Sequence, residues 1–148
     1  MSEIYPVPSD MKARTLIDEA TYDSMYQRSI ADPDGFWSDQ ANAFLLWQKP
    51  WQTVSETDMP SGNIRWFDGG QLNVSVNCID RHLPERAEQT AIIWEGDEPS
   101  DDTRISYQEL YERVCQLANG LRARGIKKGD RVCIYMPMIP EAAYAMLA

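Results

Sequence analysis

The side chains with which a reaction or a metal site could begin are few: three cysteines and one histidine among 148 residues. Cys78 and His82 stand four residues apart, so a helix would bring them to one face and could offer a thiolate and an imidazole to one metal ion. Two ligands do not close a structural zinc site, and Asp80 would point elsewhere on such a helix. Cys115 and Cys133 lie far away and no CxxC occurs, so the three thiols read as buried or half-buried groups of a reducing compartment. One histidine without a GxSxG elbow gives no Ser, His and Asp set. Glu95, Asp97, Glu98, Asp101 and Asp102 could attract a divalent ion, but they lack the alternating acids and terminal glutamate of a calcium loop and read as a solvated connection. Lys127 and Lys128 could meet a phosphate, and a polar turn after a helix explains them equally well. Gly69-Gly70 is the only glycine pair and reads as a turn; neither GxxxxGK[ST] nor GxGxxG is present. Read from its residues, the sequence offers no catalytic, cofactor-binding or metal-ligating residue.

Stepping along the chain gives the elements that would position any site. Residues 1–20, with Pro6 and Pro8, predict an arm without regular structure. A helix is expected over residues 21–30, capped by Thr21, with Tyr22, Met25, Tyr26 and Ile30 on one face. A second follows with Asp32 as N-cap and Pro33 at its first position, Phe36, Trp37 and Phe44 on its apolar side, and Gly35 as a weakness. Short strands are expected over residues 51–54 and 63–67, then a turn at Asp68-Gly69-Gly70. A helix over residues 73–83, ended by Pro84, would turn Val74, Cys78 and Leu83 inward.

Beyond it, residues 90–94 and 103–105 read as strands around the acidic connection. Ser106-Tyr107-Gln108-Glu109 has the form of a capping box opening a long helix. Leu110, Val114, Leu117 and Leu121 form its buried stripe, and Gly125 suits the position just past its end. A strand is expected over residues 131–136 and an apolar helix from about Pro140. Strand, helix, strand, helix is the opening of an α/β sheet, which needs further strands beside it. The expectation is therefore the front of a longer protein. Its uncovered strand and helix would favour self-association of a chain this short.

Composition narrows the classes. A net charge of −9, from 23 acids and 14 bases, disfavours nucleic acid and anionic membrane surfaces, both of which recruit clustered Lys and Arg. Mean hydropathy is −0.48, and no apolar run reaches the length of about 20 residues that a membrane helix needs. The first ten residues lack the basic and apolar regions of a secretory signal, so a cytoplasmic setting is expected. Nine of the fifteen aromatic residues fall between Tyr22 and Phe67 with few bases among them. That pattern fits packing better than a base-stacking groove.

Several stretches resemble known sequences. Thr103-Arg104-Ile105-Ser106-Tyr107-Gln108-Glu109-Leu110, Leu117-Ala118-Asn119-Gly120-Leu121, Gly125-Ile126-Lys127-Lys128-Gly129-Asp130-Arg131-Val132 and Tyr135-Met136-Pro137 resemble the opening of the adenylate-forming superfamily. Met25-Tyr26, Asp34-Gly35-Phe36-Trp37, Asn77-Cys78-Ile79-Asp80-Arg81-His82-Leu83 and Thr90-Ala91-Ile92-Ile93-Trp94-Glu95-Gly96-Asp97 resemble the N-terminal region of the acetyl-CoA synthetases and their short-chain relatives, propionyl-CoA synthetases among them. The resemblance implies an α/β fold: the N-terminal part of the large adenylate-forming domain, preceded by an aromatic-rich layer of helices and short strands. It divides the chain into an arm (1–20), a synthetase-type N-terminal region (21–85) and the incomplete start of an AMP-binding domain (86–148).

For a whole protein, the resemblance implies activation of acetate by ATP with Mg²⁺, then transfer of the acetyl group to coenzyme A. The partners would be acetate, ATP, coenzyme A and the remainder of the synthetase chain. The family's phosphate loop, acyl pocket, coenzyme A arginines and catalytic lysine match no position here. The chain alone is thus expected to be inactive, with a free-standing binding module as the alternative.

Overall fold

The computed structural model describes residues 5–98 and 100–148. Residues 1–4 of the expected arm and Pro99 of the acidic connection lie outside the described residues. Helices and strands are mixed along the chain, as the α/β reading requires, and they fall into two compact units. One unit holds the chain up to Leu45 together with Pro50–Gly70; the other holds Leu46–Lys49 and Gln71–Ala148.

The first unit begins with a correction. Ser9–Arg14 forms a short helix, α1, where an irregular arm was expected. It buries nothing, so no apolar period announces it, and an Asp10–Arg14 ion pair one turn apart spans it. Helix α2, Glu19–Ala31, starts two residues before the expected point. Its cap is Asp18, whose Oδ1 accepts the Thr21 backbone N–H at 2.8 Å; Thr21 is the recipient of the cap and not its source.

Asp32 serves two helices at once. Its backbone N–H closes the end of α2 on the Arg28 carbonyl at 2.9 Å. Its carboxylate caps α3, Pro33–Phe44, by accepting the Gly35 N–H at 3.1 Å. A Cβ on Gly35 would lie 2.0 Å from that carboxylate, so the glycine is what admits the cap. Arg28 and Asp39 add an ion pair between the two helices. Phe36 and Ala41 are buried, with Trp37 edge-on to Phe36, whereas Tyr22, Tyr26 and Phe44 stay open. The aromatic packing of this region is therefore partial.

Strands β1, Thr53–Asp58, and β2, Asn63–Asp68, pair antiparallel, with Ser55 opposite Trp66 and Thr57 opposite Ile64. β1 runs four residues beyond the expected segment because its polar half is drawn out by pairing, which leaves no apolar trace. The Asp68-Gly69-Gly70 turn forms as expected, with Gly69 at φ 78°.

In the second unit the expected helix over residues 73–83 breaks into three pieces: α4 (Val74–Cys78), a 3₁₀ turn (Asp80–His82) and α5 (Leu83–Arg86). Ile79 leaves the helical region, and the change of direction buries it completely, whereas Val74 and Cys78 face solvent. Pro84 opens α5 and does not end a helix. The side-chain amide of Asn77 imitates a strand partner. Leu46 N–H donates to its Oδ1 at 2.7 Å, and its Nδ2 donates to the Leu46 carbonyl at 3.0 Å.

β3 (Thr90–Glu95) and β4 (Asp102–Ser106) form an antiparallel hairpin that leads straight into α6, Tyr107–Ala123. The capping box is complete: Glu109 N–H donates to Ser106 Oγ, and Ser106 N–H donates to the Glu109 carboxylate. At the far end, Gly125 N–H reaches the Arg122 carbonyl and Ile126 N–H the Leu121 carbonyl, a Schellman motif with Gly125 at φ 88°. Ile79, Ile105, Leu110 and Val114 are the buried core, with Ala91, Ile92, Tyr111, Tyr144 and Leu147 packed against it. Leu117 and Leu121 on the same stripe are only half-buried.

The expected strand over residues 131–136 is not one. No described strand lies beside it, so its backbone has nothing to pair with and the expected parallel sheet is not built. Helix α7, Pro140–Leu147, begins where expected.

Candidate functional site

The break at Ile79 decides the fate of the one candidate metal pair. Cys78 ends α4 and His82 ends the 3₁₀ turn, so they do not share a continuous helix face. His82 instead lies against the Tyr107 ring, with centroids 5.3 Å apart. Cys133 is exposed, and Cys115 sits half-buried on α6. A hydrogen bond with Cys115, together with nearby negative charge, raises the Tyr111 phenol above its ordinary value. Among the described residues no three His, Cys, Asp or Glu side chains converge as metal ligands would.

The acidic connection is held by its own backbone, Asp101 N–H to the Glu98 carbonyl and Gly96 N–H to the Asp101 carbonyl. Lys127 and Lys128 lie in a turn closed from both sides by Asp130. Its backbone N–H donates to the Lys127 carbonyl, and its carboxylate accepts the Lys127 N–H at 2.7 Å.

One polar cleft was not legible in the sequence. A space of about 330 Å³ opens between the β3–β4 hairpin, α6 and α7, edged by Trp94, Arg104, Glu109, Arg113, Glu141 and Tyr144. Its residues come from four elements spread over residues 94–144, so no spacing rule could join them. The capping box fixes Glu109, and Arg113 follows one turn later on the same face. The Trp94 indole N–H donates to the Met138 carbonyl at 2.8 Å and so fixes the approach to α7. Burial, with the Glu141 carboxylate nearby, raises the Tyr144 phenol above its ordinary value, while Arg113 opposes the shift.

Chemically the cleft offers two guanidiniums and two carboxylates, with no nucleophile set against a base. Both helices entering it carry a carboxylate in the first turn, Glu109 on α6 and Glu141 on α7. Those charges use the positive ends of the helices internally and repel a phosphate. The arrangement is a structural junction.

Comparison with known proteins supplies what the side chains do not. A family model described as the acetyl-coenzyme A synthetase N-terminus matches residues 22–78, and one described as AMP-binding enzyme matches residues 79–148. An acetyl-coenzyme A synthetase of Alcanivorax borkumensis is 61% identical over 145 residues, covering 98% of this chain and 22% of that protein. One of Alkalilimnicola ehrlichii is 56% identical over 147 residues, 99% of this chain and 23% of that protein. The solved structure of an acetoacetyl-CoA synthetase from Streptomyces lividans superposes with a TM-score of 0.75 at 28% identity, over 94% of this chain and 21% of that one. The chain thus spans less than a quarter of the length of these relatives. Residues 22–78 thus match the N-terminal region of acetyl-coenzyme A synthetases and residues 79–148 the AMP-binding enzymes, and over nearly its whole length the chain is similar to acetyl-coenzyme A synthetases.

Proposed function

We propose that this chain is the N-terminal portion of an acetate–CoA ligase of the AMP-forming type. In the whole enzyme an acetate oxygen attacks the α-phosphorus of ATP and pyrophosphate leaves. The coenzyme A thiol then attacks the acetyl carbonyl, and AMP leaves. The observation that carries this reading is 61% identity to an acetyl-coenzyme A synthetase across nearly the whole chain. A cytoplasmic location goes with the reading; no helix among the described residues is long and apolar enough to cross a membrane.

The residues present do not fit ATP or Mg²⁺. Among the described residues no carboxylate cluster converges for the cation, and the N-termini of α6 and α7 carry carboxylates in their first turns, which disfavour a phosphate. No catalytic step is therefore assigned to this chain. Its part in the enzyme is to build a synthetase-type N-terminal region (21–85) behind an arm (1–20), and to open the AMP-binding domain (86–148) with the hairpin, α6 and α7.

Two measurements test the reading. The purified 148-residue chain should give no acetate-dependent ATP–pyrophosphate exchange. A chimera in which it replaces the matching segment of the Alcanivorax borkumensis enzyme should keep acetate-dependent AMP formation and the parent's preference for acetate over propionate. A folded chimera without that activity would overturn the proposal.

A further inference from the structure

Leu46–Lys49 belongs to the second unit without burying any of its side chains: Leu46 is 49% exposed, Gln48 and Lys49 are exposed, and Trp47 is half-buried. Hydrogen bonds hold it at both ends. At one end the Asn77 amide accepts the Leu46 N–H and donates to the Leu46 carbonyl. At the other, the Gln71 carbonyl accepts the N–H groups of Gln48 and Lys49 at 2.8 and 3.1 Å, and Gln71 N–H donates to the Lys49 carbonyl at 2.9 Å.

The two sides of this contact are unequally fixed. Asn77 stands in α4, whose first turn is capped by Asn73 and whose end runs into the fully buried Ile79. Its amide is fully engaged, since Oδ1 also accepts from Arg81 at 3.4 Å and Nδ2 also donates to the Asn73 carbonyl at 2.9 Å. An aspartate of the same shape would keep the acceptors and lose both donors. We propose that Leu46–Lys49 is a strap that opens and closes as one body, with the Asn77 amide as its clasp, while the core of the second unit stays folded. A segment held by hydrogen bonds and no buried side chain opens at low free energy. Once the clasp releases Leu46, the other end rests on one residue pair, too little to persist alone. The four N–H groups of Leu46, Gln48, Lys49 and Gln71 therefore reach water in a single event.

Native-state amide exchange on the 148-residue chain, followed residue by residue through low concentrations of urea, tests this. Those four amides should share one opening equilibrium, far more favourable than that of Leu110 and Val114 in α6. Asn77→Ala should quicken all four by a common factor of at least about ten and leave Leu110 and Val114 unchanged. Asn77→Asp should do the same at neutral pH, where its carboxylate faces the Leu46 carbonyl with no proton to donate. If both variants fail to fold, the urea series on the unsubstituted chain decides. Four unrelated opening equilibria, opening only together with α6, or an Asn77→Ala effect confined to Leu46 would overturn the proposal.

Discussion

Ser106 to Gly125 and residues 131–136 are neighbours in sequence and equally patterned, yet only the first becomes the element its pattern announces. A helix closes its hydrogen bonds within itself, and α6 carries its own start in the Ser106–Glu109 box and its own stop at Gly125. A strand is a promise that another strand must keep. Val132, Ile134 and Met136 have the right alternation, but no described strand pairs with them. A pattern that carries its own start and stop thus suffices for a helix, whereas a strand pattern also needs a partner.

The contrast can be broken most forcefully at the core. Leu110→Ala should cost about 2–5 kcal/mol in thermal or urea unfolding, because α6 is anchored through it; a loss under about 1 kcal/mol would mean the helix stands without its tertiary contacts. Leu117→Ala, half-buried on the same stripe, should cost less, about 1–2 kcal/mol. The local signals come next. Gly125→Ala forces a Cβ into a left-handed residue and should cost about 1–2 kcal/mol, and Ser106→Ala about 1 kcal/mol. Ile134→Ala should cost less than the core changes, under about 1 kcal/mol, since Ile134 is still 39% exposed.

The smallest effect is one of pH. The hydrogen bonds from Thr21 hold the Asp18 carboxyl below the usual aspartate range. A depressed folded value means that the cap contributes fully above the unfolded value and is lost as pH falls through the folded one. Amide exchange at Thr21 should quicken in that acid window, and Asp18→Asn should flatten the response.

The same logic sorts what the sequence made legible. The Asp32–Pro33 start of α3, the Ser106 box and the Gly125 stop were all readable, because each is settled within four residues. The continuous helix expected through residue 83 failed at Ile79, where burial of one side chain against Ile105, Leu110 and Val114 outweighs local helical preference. Helix α1 was missed because it buries nothing, and the Arg104–Glu109–Arg113–Tyr144 cleft because its parts meet only in three dimensions. The likeness to the acetyl-coenzyme A synthetases came through the resemblance and then through the comparisons.

The joint at Asp32 has a consequence for how this chain tolerates change. One residue ends α2 through its backbone N–H and begins α3 through its carboxylate, which lies where a Cβ on residue 35 would stand. In a saturation library, positions 32 and 35 should not vary independently. Alanine at 35 should be strongly counterselected while aspartate holds 32, and much less so once 32 has itself become glycine and the crowded carboxylate is gone. The mutational tolerance of the two sites is thus a joint distribution, whose correlation could be read by counting surviving pairs.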